Sequence, residues 1–188
     1  MTDLIESLLE FSRPRESMRL SWVRLDEVLD HALQIVRARP EFRSKTIMAG
    51  AVRIEGWFDA NKLQRVVQNL IINACEATPP EGAMITVSAG SRDRIVEIRV
   101  ADNGRGIPDG IRDRIFEPFV SYGKENCTGL GLTIVQKIVQ DHGGEVAVRE
   151  TSPAGTVIVV SLPLATSGSP LGENLSAVGT DARVNAVE

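Results

Sequence analysis

Two pairs of short strand-like runs, set on either side of a helical stretch, constrain this chain more than any other feature. Ala83–Ala89 and Ile95–Ala101 are joined by Gly-Ser-Arg-Asp-Arg, which predicts a hairpin. Glu145–Arg149 and Thr156–Leu162 are joined by Thr-Ser-Pro-Ala-Gly and predict a second. Three helical patterns accompany them. From about Leu25 to Arg37, one face carries Leu25, Val28, Leu29, Ala32, Leu33 and Val36. Asp59 is placed to cap a second helix through Cys75, with Leu63, Val66, Val67, Leu70 and Ala74 as its stripe. A third runs from about Leu130 to Asp141 and stops at His-Gly-Gly. Residues 45–55 look extended, and Gly56-Trp57-Phe58-Asp59 reads as a turn. This order of elements predicts a mixed sheet covered by helices on one face.

Composition narrows the function classes. The 188 residues are 43% hydrophobic and 24% charged, an ordinary globular balance. The formal charge of −4 lacks the basic excess of a general nucleic-acid binder. Cys75 and Cys127 are too few for a disulfide framework, so a reducing compartment is the expectation; the expected location is cytoplasmic, with membrane anchoring of the full-length protein left open. Two histidines, His31 and His142, exclude a histidine-rich metal site. No apolar run approaches the ~20 residues that span a bilayer. Residues 2–13 read as a short amphipathic helix ended by Pro14, whose Leu4, Ile5, Leu8 and Leu9 need a partner, either the main domain or a second helix. The small and polar residues after Leu164 read as a disordered tail.

Three segments carry chemistry. Asn69 and Asn73 lie four apart on the second helix, about 40° from each other, at the edge of the apolar stripe. An amide offers a neutral oxygen to a hard cation and N–H donors to phosphate, although the pair also fits a solvated helix shoulder. Asp102-Asn103-Gly104-Arg105-Gly106-Ile107 follows a strand. A carboxylate there can accept from an exocyclic amine, and Gly104 and Gly106 let the backbone pass close to a flat ligand. The same residues also fit a common strand-ending turn. Thr128-Gly129-Leu130-Gly131-Leu132 opens the third helix, where main-chain amides attract phosphate. It is neither a dinucleotide fingerprint nor a P-loop. Between the last two segments, Phe116 and Phe119 can pin a loop to the core, and Lys124 can reach a phosphate or stay solvated.

Together these segments resemble the ATP-binding domain of sensor histidine kinases, within the wider family of gyrase, chaperone, kinase and mismatch-repair ATPases. Asn-Leu-Ile-Ile-Asn-Ala (69–74) resembles the N box. Asp-Asn-Gly-Arg-Gly-Ile (102–107) resembles the first glycine box, Ile-Phe-Glu-Pro-Phe (115–119) the phenylalanine box, and Thr-Gly-Leu-Gly-Leu (128–132) the second glycine box. Ser152–Leu164 resembles the closing Gly-Thr strand pair. The resemblance implies a two-layer α/β sandwich, with a mixed sheet backing three helices, over residues 19–164. It implies that residues 1–18 are the end of a dimerisation helix with its linker, and that 165–188 form the tail.

By that resemblance ATP and Mg²⁺ are the cofactors, and Asn73 is the metal ligand. Asn73 and Lys124 serve the chemistry, Asn69 contacts the phosphates, and Asp102 takes the adenine amine. Gly104 and Gly106 line the adenine pocket, residues 107–128 form a lid, and Gly129 and Gly131 meet the phosphates. Ile107, Thr128, Leu130 and Leu132 complete the nucleotide-binding set. Neither His31 nor His142 has the sequence context of a phosphoacceptor. The expected activity is therefore donation of a phosphoryl group to a histidine on a dimerisation domain absent from this chain. The expected further partner is a response-regulator receiver domain, and the full-length protein is expected to be a homodimer. A conformational ATPase or an anti-sigma-factor serine kinase is the alternative, and a binding module without catalysis a third reading. The conformational ATPases and the serine kinases place a basic Glu where this chain has Asn69, and an amide cannot accept a proton at neutral pH.

Overall fold

A computed structural model describes residues 18–50, 53–120 and 129–165. Five strands form one mixed sheet: β2 (Thr46–Ala49), β4 (Met84–Arg92), β5 (Ile95–Asp102), β6 (Glu145–Ser152) and β7 (Gly155–Pro163), in the order β2-β4-β5-β7-β6. Only the β2–β4 pair is parallel. Alternation along β5 and β7 buries Val96, Ile98, Val100, Ile158, Val160 and Leu162 on one face. Against that face pack α1 (Leu25–Arg37), α2 (Ala60–Ala77) and α4 (Gly131–Asp141). Their apolar stripes and the inner sheet face form one continuous core. This is the expected two-layer sandwich of a mixed sheet and three helices.

Local chemistry sets most element ends. The Asp59 carboxylate accepts from the Lys62 amide at 3.1 Å and caps α2, as expected from the sequence. Gly143, at φ +72°, ends α4. The β4–β5 hairpin turns at Asp93 and Arg94, with φ 52° and 61°. The strands therefore extend through much of the segment read as a loop.

Two sequence expectations need correction. Gly56-Trp57-Phe58 is not a turn but belongs to β3 (Glu55–Phe58), which pairs antiparallel with β1 (Ser21–Arg24) in a separate two-stranded sheet. Each strand finds its partner more than 30 residues away, so no local pattern marked either. Trp22 and Trp57 meet edge-on across this pair, with ring centroids 6.1 Å apart. The stretch read as extended over 45–55 contains β2 and the start of β3, which enter different sheets. The helix expected over residues 2–13 and the tail after Ala165 lie outside the described residues.

Candidate nucleotide site

The candidate site is framed by α2 and α4, which pack antiparallel: the start of α4 lies against Asn69 and Asn73, and its end against Asp59 at the start of α2. Gly131, in the first turn of α4, faces the middle of α2: a Cβ added there would sit 3.8 Å from Asn73 Nδ2 and 3.9 Å from Asn69 Oδ1. The two asparagines and the second glycine motif, far apart in sequence, thus converge. The Asn69 Nδ2 is buried without a hydrogen-bond partner among the described residues. A buried, unmatched donor costs about 1–3 kcal/mol, and such a cost persists where a ligand supplies the missing acceptor. Phosphate oxygens are acceptors of that kind.

Asp102 lies at the end of β5. Its Oδ1 accepts from the Gly104 amide at 2.8 Å, and the Thr156 amide also donates to the carboxylate. Burial pushes the carboxyl above the usual carboxylate range, and the two N–H donors pull it only part of the way back. Gly104 is pressed against the end of α2, where a Cβ would meet the Ala77 carbonyl oxygen at 2.6 Å. Gly106 has φ +73°, and a Cβ there would lie 2.0 Å from the Ser152 carbonyl oxygen. No other residue fits either place without backbone movement. Asn103 locks the turn: its Oδ1 accepts from the Met84 amide and its Nδ2 donates to the Gly82 carbonyl, both at 2.8 Å. Ile107 is half-buried, and its amide donates to Thr151 Oγ1 at 2.8 Å.

The segment that follows begins with the short α3 (Asp109–Arg112), slightly ahead of the helical turn expected over Ile111–Phe116. Phe116 packs against the core, but Phe119 does not: it is 67% exposed and holds φ 64°. Its amide donates to the Gly129 carbonyl at 3.1 Å, bringing the two ends of the 121–128 stretch together. Lys124 and Thr128 fall in that stretch and lie outside the described residues. Gly129, at φ +66°, leaves no room for a Cβ against Phe119. Leu130 is fully buried in the core, which leaves only its main chain for a ligand, and Leu132 is half-buried beside it.

Thr156 and Thr151 were not singled out from the sequence. Thr156 is buried, and its Oγ1 lies 3.3 Å from Thr151 Oγ1, so the pair links the Asp102 and Ile107 ends of the turn. The Gly155-Thr156 pair opening the last strand was the available signal. Gly155 matters for the same reason, since a Cβ there would meet the Asp102 carbonyl oxygen at 2.0 Å.

Comparison with known proteins agrees with this geometry. A family model described as histidine kinase-, DNA gyrase B-, and HSP90-like ATPase matches residues 58–166, more than half of the chain. The sensor histidine kinase ZraS of Klebsiella oxytoca is 33% identical over 163 residues, covering 86% of this chain and 35% of the relative. The alginate biosynthesis sensor protein KinB of Pseudomonas aeruginosa is 36% identical over 167 residues, covering 86% and 28%. The chain thus spans about a third of the length of these relatives. Among solved structures, the mycobacterial sensor histidine kinase MprB superposes with a TM-score of 0.70 at 31% identity, covering 77% of this chain and 99% of that one. With an asparagine pair, a half-buried strand-end carboxylate and a glycine-led helix joined on one sandwich, the chain belongs to the histidine kinase-, DNA gyrase B- and HSP90-like ATPase family, in its sensor histidine kinase branch.

Proposed function

We propose that this chain is the ATP-binding catalytic domain of a two-component sensor histidine kinase. It donates the γ-phosphoryl group of ATP to a histidine on a dimerisation domain. The β,γ-bridging P–O bond breaks, a P–N bond to the acceptor imidazole forms, and ADP leaves. The observation that carries this reading is the convergence of Asn69, Asn73 and Gly131 on one helix pair, with half-buried Asp102 on the neighbouring strand. Asp102, acceptor-only when ionised, selects the adenine amine. Asn69 Nδ2 and the first-turn amides of α4 donate to the phosphates. The glycines at 104 and 106 admit a flat base.

The donor set suits a metal that arrives with its nucleotide. Among the described residues no three His, Cys, Asp or Glu side chains cluster, so the protein offers a neutral amide oxygen from Asn73 rather than a carboxylate cage. Mg²⁺ accepts that arrangement, because it keeps waters and takes its remaining oxygens from phosphate. The ion supplies charge neutralisation on the phosphates, and Lys124 adds a cation. An amide at Asn69 opposes the clamp-ATPase and serine-kinase alternatives, which need a base there.

Residues 1–18 are read as the end of a dimerisation helix with its linker, and 165–188 as a tail. The longer protein is a homodimer whose acceptor histidine lies on that helical domain, and a response-regulator receiver domain takes the phosphoryl group onward. A histidine kinase of the same fold, ThkA, has been solved in complex with the response regulator TrrA. No helix among the described residues is long and apolar enough to cross a membrane, and a cytoplasmic location is part of the same proposal.

The test has two steps. Calorimetric titration gives Mg-ATP binding on the order of micromolar or weaker, and Asn73→Ala removes the Mg²⁺-dependent part of it. Labelled ATP then leaves no acid-labile phosphate on His31 or His142, but transfers it to a histidine-bearing dimerisation domain supplied in trans. Acid-labile label on His31, or ATP turnover without any transfer, overturns the proposal.

A further inference from the structure

The helix pair that frames the cleft is fastened at its far end by a side chain that phosphoryl transfer does not use. His142 closes α4 and is half-buried. Its Nδ1 lies 2.8 Å from the Ile138 carbonyl oxygen, and its Nε2 lies 3.2 Å from the Asp59 main-chain nitrogen. A carbonyl can only accept and an amide N–H can only donate. The tautomer is therefore dictated: Nδ1 carries the hydrogen and Nε2 presents its lone pair. Asp59 is itself nearly fully buried and engaged on both oxygens. Oδ1 accepts from the Lys62 amide at 3.1 Å, and Oδ2 accepts from the Arg19 amide at 3.0 Å. One junction of two side chains thus holds the last turn of α4, the first turn of α2 and the segment that enters β1.

We propose that His142 is a positioning residue of the nucleotide cleft: as a neutral imidazole it pins α4 to α2 through Asp59, and so ties both helices to the segment by which the chain enters the domain. The proposal rests on the reading of the cleft given above. Gly131 lies about 17 Å along α4 from this junction. A swing of about 4° at the junction moves Gly131 by about 1 Å, a misplacement on the scale that disrupts phosphate positioning. The segment ending at Arg19 lies toward the proposed dimerisation helix, so displacement of that segment and loosening of the cleft are coupled through one residue, Asp59, whose carboxylate holds Arg19 and whose main-chain N–H holds His142.

Protonation opens the junction. A second hydrogen on Nε2 would face the Asp59 N–H, donor against donor. The groups around the ring act in both directions. The carboxylates of Asp59 and Asp141 and the Ile138 carbonyl favour the imidazolium, Lys62 opposes it, and burial, the largest influence, holds His142 below its ordinary value. The neutral form is therefore secure at pH 7. The stability it contributes is lost as pH falls from about 6.5 through the folded-state value beneath it.

The full chain tests this with nitrogen-resolved imidazole spectra, amide exchange at Arg19 without nucleotide, and Mg-ATP titration from pH 7 to pH 5. The expected result is an Nδ1–H tautomer at His142 that stays neutral until the pH falls below the ordinary imidazole value. His142→Phe, which keeps a ring but no acceptor, should lower Arg19 protection and Mg-ATP affinity about two- to tenfold. His142→Gln, which restores an acceptor, should keep both and should lose the fall in affinity that the wild type shows below pH 6.5. An Nε2–H tautomer, unchanged Arg19 protection in the Phe variant, or a Gln variant as weak as Phe overturns the proposal. If the Phe variant does not fold, the wild-type and Gln pH profiles decide: identical profiles refute it. If the wild type binds no Mg-ATP, the nucleotide reading fails, while the tautomer and Arg19 protection still judge the junction.

Discussion

Asp102→Asn separates a binding role from a structural one. The carboxylate stands at the end of β5 with Gly104 and Thr156 amides donating to it, and burial raises its pKa despite both donors. A carboxyl whose folded-state pKa lies above its unfolded value stabilises the fold only at low pH, and that contribution is lost as pH rises through the folded value. At pH 7 the ionised form therefore weighs against folding. An amide of the same shape removes that burden and keeps an oxygen for the Gly104 amide while giving up acceptor capacity toward Thr156, so the two changes offset and the nucleotide-free Asp102→Asn protein should melt within a few degrees of wild type.

ATP binding should respond the other way. A charge-assisted hydrogen bond from the adenine amine is worth about 1.5–3 kcal/mol. At 1.4 kcal/mol per decade this is about 10- to 150-fold in Kd. GTP carries a carbonyl where adenine has its amine, so its weaker binding should change little or improve. Calorimetry with non-hydrolysable ATP and GTP analogues, beside thermal melts of both proteins, reads all three quantities. Equal losses for the two nucleotides, or a melting temperature several degrees lower without nucleotide, would refute the reasoning.

Other outcomes follow from single positions. Gly131→Ala adds a Cβ at ordinary contact distance from Asn69 and Asn73, so helix stability should hold or rise by up to ~1 kcal/mol, while Mg-ATP binding weakens at least about tenfold as the phosphate loses its approach. Denaturant melts and titration on one sample check the opposite signs. Gly106→Ala forces a Cβ to within 2.0 Å of the Ser152 carbonyl oxygen at φ +73°, and chemical denaturation should register a loss of more than about 2 kcal/mol. Burial pushes the Cys75 thiol up to about 11, so iodoacetamide at pH 8 should leave Cys75 unmodified in the native protein and alkylate it readily in denaturant, read by peptide mass.

Much of this protein was legible in its residues because the relevant signals are short-ranged. The stripes of α1, α2 and α4, the Asp59 cap and the strands of both hairpins are periodicities or caps of a few residues, and each appeared where the pattern put it. The motifs at Asn69–Asn73, Asp102–Gly106 and Gly129–Gly131 were visible for the same reason. Nothing in any one of them said that it faced another. Tertiary structure decided that Gly131 would lie against the asparagine pair, and that Thr151 and Thr156 would brace the Asp102 turn. It also decided that β1 and β3 would find each other across the sequence. Asp59 shows the boundary between the two kinds of information: its role as a cap rests on an amide three residues away and was readable. Its bonds to Arg19 and His142 join segments 40 and 83 residues distant; the pairing of β1 with β3 creates the first and the packing of α4 antiparallel to α2 the second.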